Sequence, residues 1–172
     1  GNAFLSRFYE DPTRWTFHSE MAFLIEKIGQ LYTAGKIIEE SSVVGDTTIY
    51  QDVFSFAKTQ YLNKHLRDDE WKLYEHLFET VKPTLIEPDL IVYMKISVES
   101  ARMRIAKRRR QYEKEISEAD LSLLVETNET WMHQHKNQST ILTIDAERVD
   151  LVGNQNDQQQ FLETITNYLS RI

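Results

Sequence analysis

No cysteine occurs in the 172 residues, which removes disulfides, thiolate metal sites and cysteine nucleophiles and leaves the compartment unread by redox chemistry. Long apolar runs are missing too. The longest, at about 90–94, falls far short of a membrane span. The opening Gly-Asn-Ala-Phe has no basic region followed by an apolar one, so it does not resemble a secretory leader, and a cytoplasmic location is expected by default. Positive charge is in deficit. Twenty Lys and Arg face twenty-seven Asp and Glu, a net charge of −7, which argues against a general binder of nucleic acid or of anionic membranes. A polyanionic ligand must therefore meet a local basic patch. There is no internal repeat and no low-complexity segment.

With 41% hydrophobic and 27% charged residues, the chain fits one soluble globular domain over 1–172 with a sizeable core. Apolar residues at Phe17, Met21, Leu24, Ile28 and Leu31 alternate steps of four and three, which predicts a helix of about four turns, started near Pro12 and closed at Gly35. A short buried strand is expected at 42–44 and helices at about 52–63 and 68–81, with Asp68 or Asp69 as cap and Pro83 as stop. The β-branched run at 90–94 is that of a parallel strand covered on both faces. A basic helix at about 98–112, a helix at 118–135, a strand at 140–144 and a helix at about 157–169 follow. Strands alternating with helices imply right-handed crossovers and an α/β layer fold. Three visible strands are fewer than an open sheet usually has, so one or two N-terminal strands are expected to lie outside this chain.

Three segments carry candidate chemistry. Six cations fall between Arg102 and Arg110, and arginine forks suit polyphosphate. Arg104 and Arg108 lie one turn apart on one face; the alternative is a solvated helix face. The segment Asp46-Thr47-Thr48-Ile49-Tyr50-Gln51-Asp52 follows the expected 42–44 strand. Loops beyond the carboxyl ends of parallel strands hold ligands in such folds, so a carboxylate there suits a metal or a hydroxyl, against plain turn and capping chemistry. The stretch from Phe8 through Tyr9, Trp15 and Glu20 gathers aromatics and a carboxylate where a helix begins. These suit a planar base, or simply a core.

Taken in order, Phe8-Tyr9-Glu10-Asp11-Pro12, Trp15-Thr16-Phe17, Asp46 to Asp52, Pro88-Asp89-Leu90-Ile91-Val92-Tyr93 and the stretch from Arg104 to Glu113 resemble the deoxynucleoside kinase family over nearly the whole chain. The resemblance implies a P-loop kinase-like parallel sheet covered by helices on both faces, with ATP and Mg²⁺ serving transfer of the γ-phosphoryl group to the 5′-hydroxyl of a deoxynucleoside. It further implies a homodimer built through helices. Carried over by residue, Arg104, Arg108 and Arg110 match lid arginines that hold the donor nucleotide, in a lid at about 104–117. Asp46 matches a carboxylate of the catalytic and metal site. Tyr9 and Glu113 match the grip on the sugar 3′-hydroxyl, Glu20 a Gln that reads the base, Asp52 a carboxylate beside it, and Phe56 an aromatic of the base pocket.

Departures from the family pattern bear on activity. No G-x-x-x-x-G-K-[ST] loop is present; the echo from Gly29 to Lys36 has five residues between its glycines and sits in a helical pattern. The phosphate loop and the strand bearing the catalytic Glu are expected outside these residues, so little turnover is expected from them alone. Thr47 stands where the family has Arg, and loss of one preorganised charge-stabilising donor costs about 10²–10³ in rate. Glu20 stands for Gln, which leaves substrate choice open. A non-catalytic nucleoside- or nucleotide-binding subunit is the alternative.

Overall fold

The computed structural model of the chain describes residues 1–109, 116–136 and 140–170. The apolar spacing at 17–31 does produce a helix, longer than expected. After α1 (Leu5–Glu10) comes α2 (Pro12–Ile37), with Pro12 at its first position and the Asp11 carboxylate accepting the Arg14 amide at 3.2 Å. Gly35 does not close it. The helix caps at Ile38, and no described glycine has a positive φ. Gly35 is instead a point of close approach, where an added Cβ would lie 3.4 Å from Ile86 Cγ2.

The strand expected at 42–44 is absent. That stretch has no regular structure and pairs with no described strand, and Val44 is 96% exposed. An apolar β-branched run becomes a strand only when a neighbour takes up its backbone groups. The next helix begins three residues before Asp52 and is continuous: α3 (Ile49–Gln51), a π-helical stretch (Asp52–Ala57) and α4 (Lys58–Leu62). Thr48 caps it by accepting the Gln51 amide at 3.1 Å. Helix α5 (Asp68–Val81) matches its expected span, although Arg67 holds the cap position and donates its amide to Glu70 at 3.0 Å, leaving Asp68 and Asp69 in the first turn. A 3₁₀ turn (Lys82–Thr84) carries Pro83.

The second half is β1 (Ile91–Lys95), α6 (Val98–Arg108), α7 (Glu118–His135), β2 (Ile141–Asp145) and α8 (Gln155–Leu169). Both strands start one residue later than expected and pair in parallel, Ile91 opposite Ile141 and Lys95 opposite Asp145. The described sheet thus has two strands rather than three. Only Ile91 of β1 is fully buried, so the strand is less covered than its apolar run suggests. The main core lies among the helices, where Leu24, Ile49, Val53, Ala57, Leu66, Trp71, Tyr74 and Phe78 cluster and Phe17, Met21, Ile28 and Leu31 pack against them. The expected stripe of α2 is thereby the stripe that faces the core.

Candidate functional site

The inner face of α2 is polar where it approaches the π-helical stretch. Thr16, Ser19 and Glu20 are all buried there beside Leu24. Thr16 returns its hydroxyl to the Pro12 carbonyl at 2.6 Å, and Ser19 accepts from Asn2 Nδ2 at 2.8 Å, so both hydroxyls are spent locally. Glu20 is left over, 6% exposed. Facing it is Asp52, the first residue of the π-helical stretch and 8% exposed, whose Oδ2 has no hydrogen-bond partner. Tyr74 of α5 is completely buried, and its hydroxyl is likewise unpartnered. Buried polar atoms are normally satisfied; these two orphans and the Glu20 carboxyl together form a buried polar floor.

Electrostatics follow from that burial. Desolvation, then the Asp52 charge, push the Glu20 carboxyl up to about 8. Desolvation raises Asp52 to about 6, with Lys27 pulling the other way. The Tyr74 phenol is driven well above its usual range by burial, then by Glu20 and Asp52. Near neutral pH this floor therefore holds one neutral acid and one largely ionised one.

Lys27 connects the floor to the loop before α3. It lies seven residues after Glu20, two turns along the same face, and its amine donates to the Asp46 carbonyl at 2.6 Å and the Thr47 carbonyl at 3.0 Å. Asp46 itself is exposed. Thr47 has φ 62°, a left-handed conformation that a β-branched residue adopts only under constraint. One exposed carboxylate fits Mg²⁺, which is commonly held by one or two carboxylates together with substrate phosphates. Among the described residues, no three acidic or histidine side chains converge as a ready metal cluster.

The other expected site residues are spread over separate elements. Phe56 is 38% exposed, one turn beyond Asp52 in the same π-helical stretch. Tyr9, on α1, is half-buried with its ring edge-on to Phe8 at 4.9 Å. Trp15 stacks on Phe4 at 6.0 Å, with the guanidinium groups of Arg7 and Arg14 at 4.9 and 5.1 Å from its ring centroid, so this aromatic segment packs largely on itself. Helix α6 begins just past the carboxyl end of β1. Its Arg104 donates to the Ala146 carbonyl, just past the end of β2, and Arg102 pairs with Glu118. Arg108 is exposed near the helix end, and Arg109 stops the helix with φ 55°. Arg110 and Glu113 lie outside the described residues.

Comparison with known proteins bears directly on this arrangement. The sequence pattern described as "Deoxynucleoside kinase" matches residues 1–170. The chain belongs to the deoxynucleoside kinase family. The deoxyguanosine kinase of Bacillus subtilis (strain 168) is 30% identical over 161 residues, covering 91% of this chain and 75% of the relative. The deoxyadenosine/deoxycytidine kinase of the same organism is 27% identical over 98% of this chain and 77% of its own length. Among solved structures, deoxyadenosine kinase from M. mycoides, bound to its products dCMP and a flexible dCDP, superposes with a TM-score of 0.83 at 24% identity, covering 99% of this chain and 82% of that one. That likeness shows the fold. The same kinase with bound dCTP gives a TM-score of 0.80 at 23% identity.

Two residues of the floor escape a reading by family motif. Lys27 stands one helical step outside the apolar stripe of α2, and its signal was the seven-residue spacing from Glu20. Tyr74 shares a face of α5 with Trp71 and Phe78, and so looks like core until its unpartnered hydroxyl is seen.

Proposed function

We propose that this member of the deoxynucleoside kinase family binds a deoxynucleoside with its base on the Glu20–Asp52 floor and serves transfer of the ATP γ-phosphoryl group to the 5′-hydroxyl. The observation that carries this is the unpartnered, buried Asp52 Oδ2 beside Glu20, with Lys27, whose charge acts on Asp52, holding the Asp46–Thr47 loop. Phe56 covers the base, Tyr9 and Glu113 hold the sugar 3′-hydroxyl, and Arg104, Arg108 and Arg110 take the donor phosphates. Asp46 holds Mg²⁺, which when bound neutralises phosphate charge. Orienting and binding fall to the other side chains. The family names of the relatives, with nucleotides bound in the solved neighbours, support the same class of substrate.

Calorimetric titration with the four deoxynucleosides tests the pocket: at least one is expected to bind, and Asp52→Ala to lose it. Binding of none would reject the site. A second reading, binding without turnover, is favoured by Thr47, since the nearby Lys27 amine is already committed to two carbonyls. An ATP-Mg²⁺ assay separates the two; on the second reading turnover is absent while binding persists.

Assembly as a helix-paired homodimer in the cytoplasm completes the proposal. Ile25 and Tyr32, seven residues apart on α2, are 60% and 50% exposed, and Leu73 of α5 is 55% exposed. No described helix is long and apolar enough to cross a membrane.

A further inference from the structure

Glu20 has no cation and no hydrogen-bond donor paired with its carboxyl among the described residues. It sits on the inner face of α2, nearly sealed from water, and the groups around it are the wrong kind for an anion. From the π-helical stretch comes Asp52, another acid; from α5 comes the Tyr74 phenol, whose hydroxyl makes no hydrogen bond. Lys27, on α2 itself, is two turns away with its amine on the Asp46 and Thr47 carbonyls. Two buried carboxyls facing each other do not both ionise readily, and the one farther from the cation keeps its proton. Lys27 favours the charge on Asp52, not on Glu20.

A neutral carboxyl differs from a carboxylate in what it can read. Its O–H donates and its C=O accepts, whereas the anion only accepts. An edge made of an unprotonated ring nitrogen beside an amino group closes a two-bond ring with a neutral acid: O–H to the ring nitrogen, amino hydrogen to the carbonyl. The second amino hydrogen then goes to the ionised Asp52. Adenine and cytosine have such an edge. The guanine edge, with two adjacent donors, would instead require Glu20 to be ionised, and thymine turns a carbonyl oxygen toward one of the acids. Resting on the reading of this floor as the base site, we propose that Glu20 works as a neutral hydrogen-bond donor, so that the chain selects deoxynucleosides bearing an amino group next to a ring-nitrogen acceptor and loses them as Glu20 ionises.

The test has two arms. Deoxyadenosine, deoxycytidine and deoxyguanosine are titrated into the full chain by calorimetry from about pH 6.5 to about pH 9, a range in which neither adenine nor cytosine changes protonation. Above the pH at which Glu20 ionises, the Kd of the first two should rise by about tenfold per pH unit, while deoxyguanosine does not weaken. Glu20→Gln, whose amide also donates and accepts, should bind the amino-type nucleoside more tightly than the wild type at the alkaline end and remove the slope. An affinity independent of pH, or an unaltered slope in Glu20→Gln, overturns the proposal. In the second arm, the side-chain carboxyl carbon of Glu20 is followed by NMR in the ligand-free chain. A transition in the ordinary glutamate range defeats the neutral-acid idea even if nucleosides bind. An alkaline transition with no nucleoside bound instead defeats the reading of this floor as a base site, and the selectivity falls with it.

Discussion

The two charged clusters of this molecule sit in opposite surroundings. The acids Glu20 and Asp52 are buried among helices, while α6, with Arg102, Arg104, Lys107 and Arg108, has no buried residue at all. Water decides the consequence. On the helical side desolvation changes which groups carry charge; on α6 Arg102 pairs with the exposed Glu118 and is open to screening by salt. Charge in the first region is a matter of protonation, and in the second a matter of ionic strength.

The largest expected contrast between the regions is in packing. Phe78 is 1% exposed and meets Tyr50 and Phe54 edge-on at 6.2 and 5.5 Å, so Phe78→Ala should cost about 3–5 kcal/mol in urea unfolding. Met103→Ala on α6, where Met103 is 60% exposed, should change stability by less than about 0.5 kcal/mol. Equal losses at the two positions would abolish the distinction between a packed and an open region.

Next in size is the response to pH. Glu20 is an acid whose folded pKa is raised, from 4.5 to about 8, so between those values the unfolded chain has released a proton that the folded chain still holds. Stability therefore falls as pH rises from about 4.5 to about 8 and is level beyond. Asp52, raised from 3.8 to about 6, adds a smaller fall at the lower end of the same range. Glu20→Gln should flatten the upper part of the curve and stabilise the chain near pH 8. Thermal unfolding followed across pH checks this, and a wild-type curve that climbs toward pH 8 would show that the acids are solvated.

The smallest expected effect lies on the basic side. The side chains of Arg102 and Glu118 are 58% and 66% exposed, and Arg102→Ala should cost less than about 1 kcal/mol, a difference that disappears in molar salt. A larger, salt-resistant loss would mean that α6 is as enclosed as α2.

Helices were legible where a one-sided apolar stripe met a clear stop. The stripe of α2 and the span of α5 follow from apolar spacing and from Pro83, since burial of one face is recorded in the residue types themselves. Three things were not. The run at 42–44 has the composition of a strand, yet strand formation depends on a partner, which local sequence does not report. Gly35 has the look of a helix end but serves closeness to Ile86. The π-helical register that starts at Asp52 leaves no mark in composition. In the site, Glu20 and Asp52 were named through family motifs, but their protonation depends on enclosure by α5, some distance along the chain. Tyr74 and Lys27 act through contacts across elements, and such contacts have no local signature.

Helix α2 also sets a length. Glu20 and Lys27 stand seven residues apart on one rigid rod, about 10 Å along its axis, with the acid at the base-reading floor and the amine at the loop that bears Asp46. The helix thus works as a ruler between the two ends of whatever lies along it. One residue inserted between them would turn one end away from the other by about 100°, leaving both groups intact and the measurement lost.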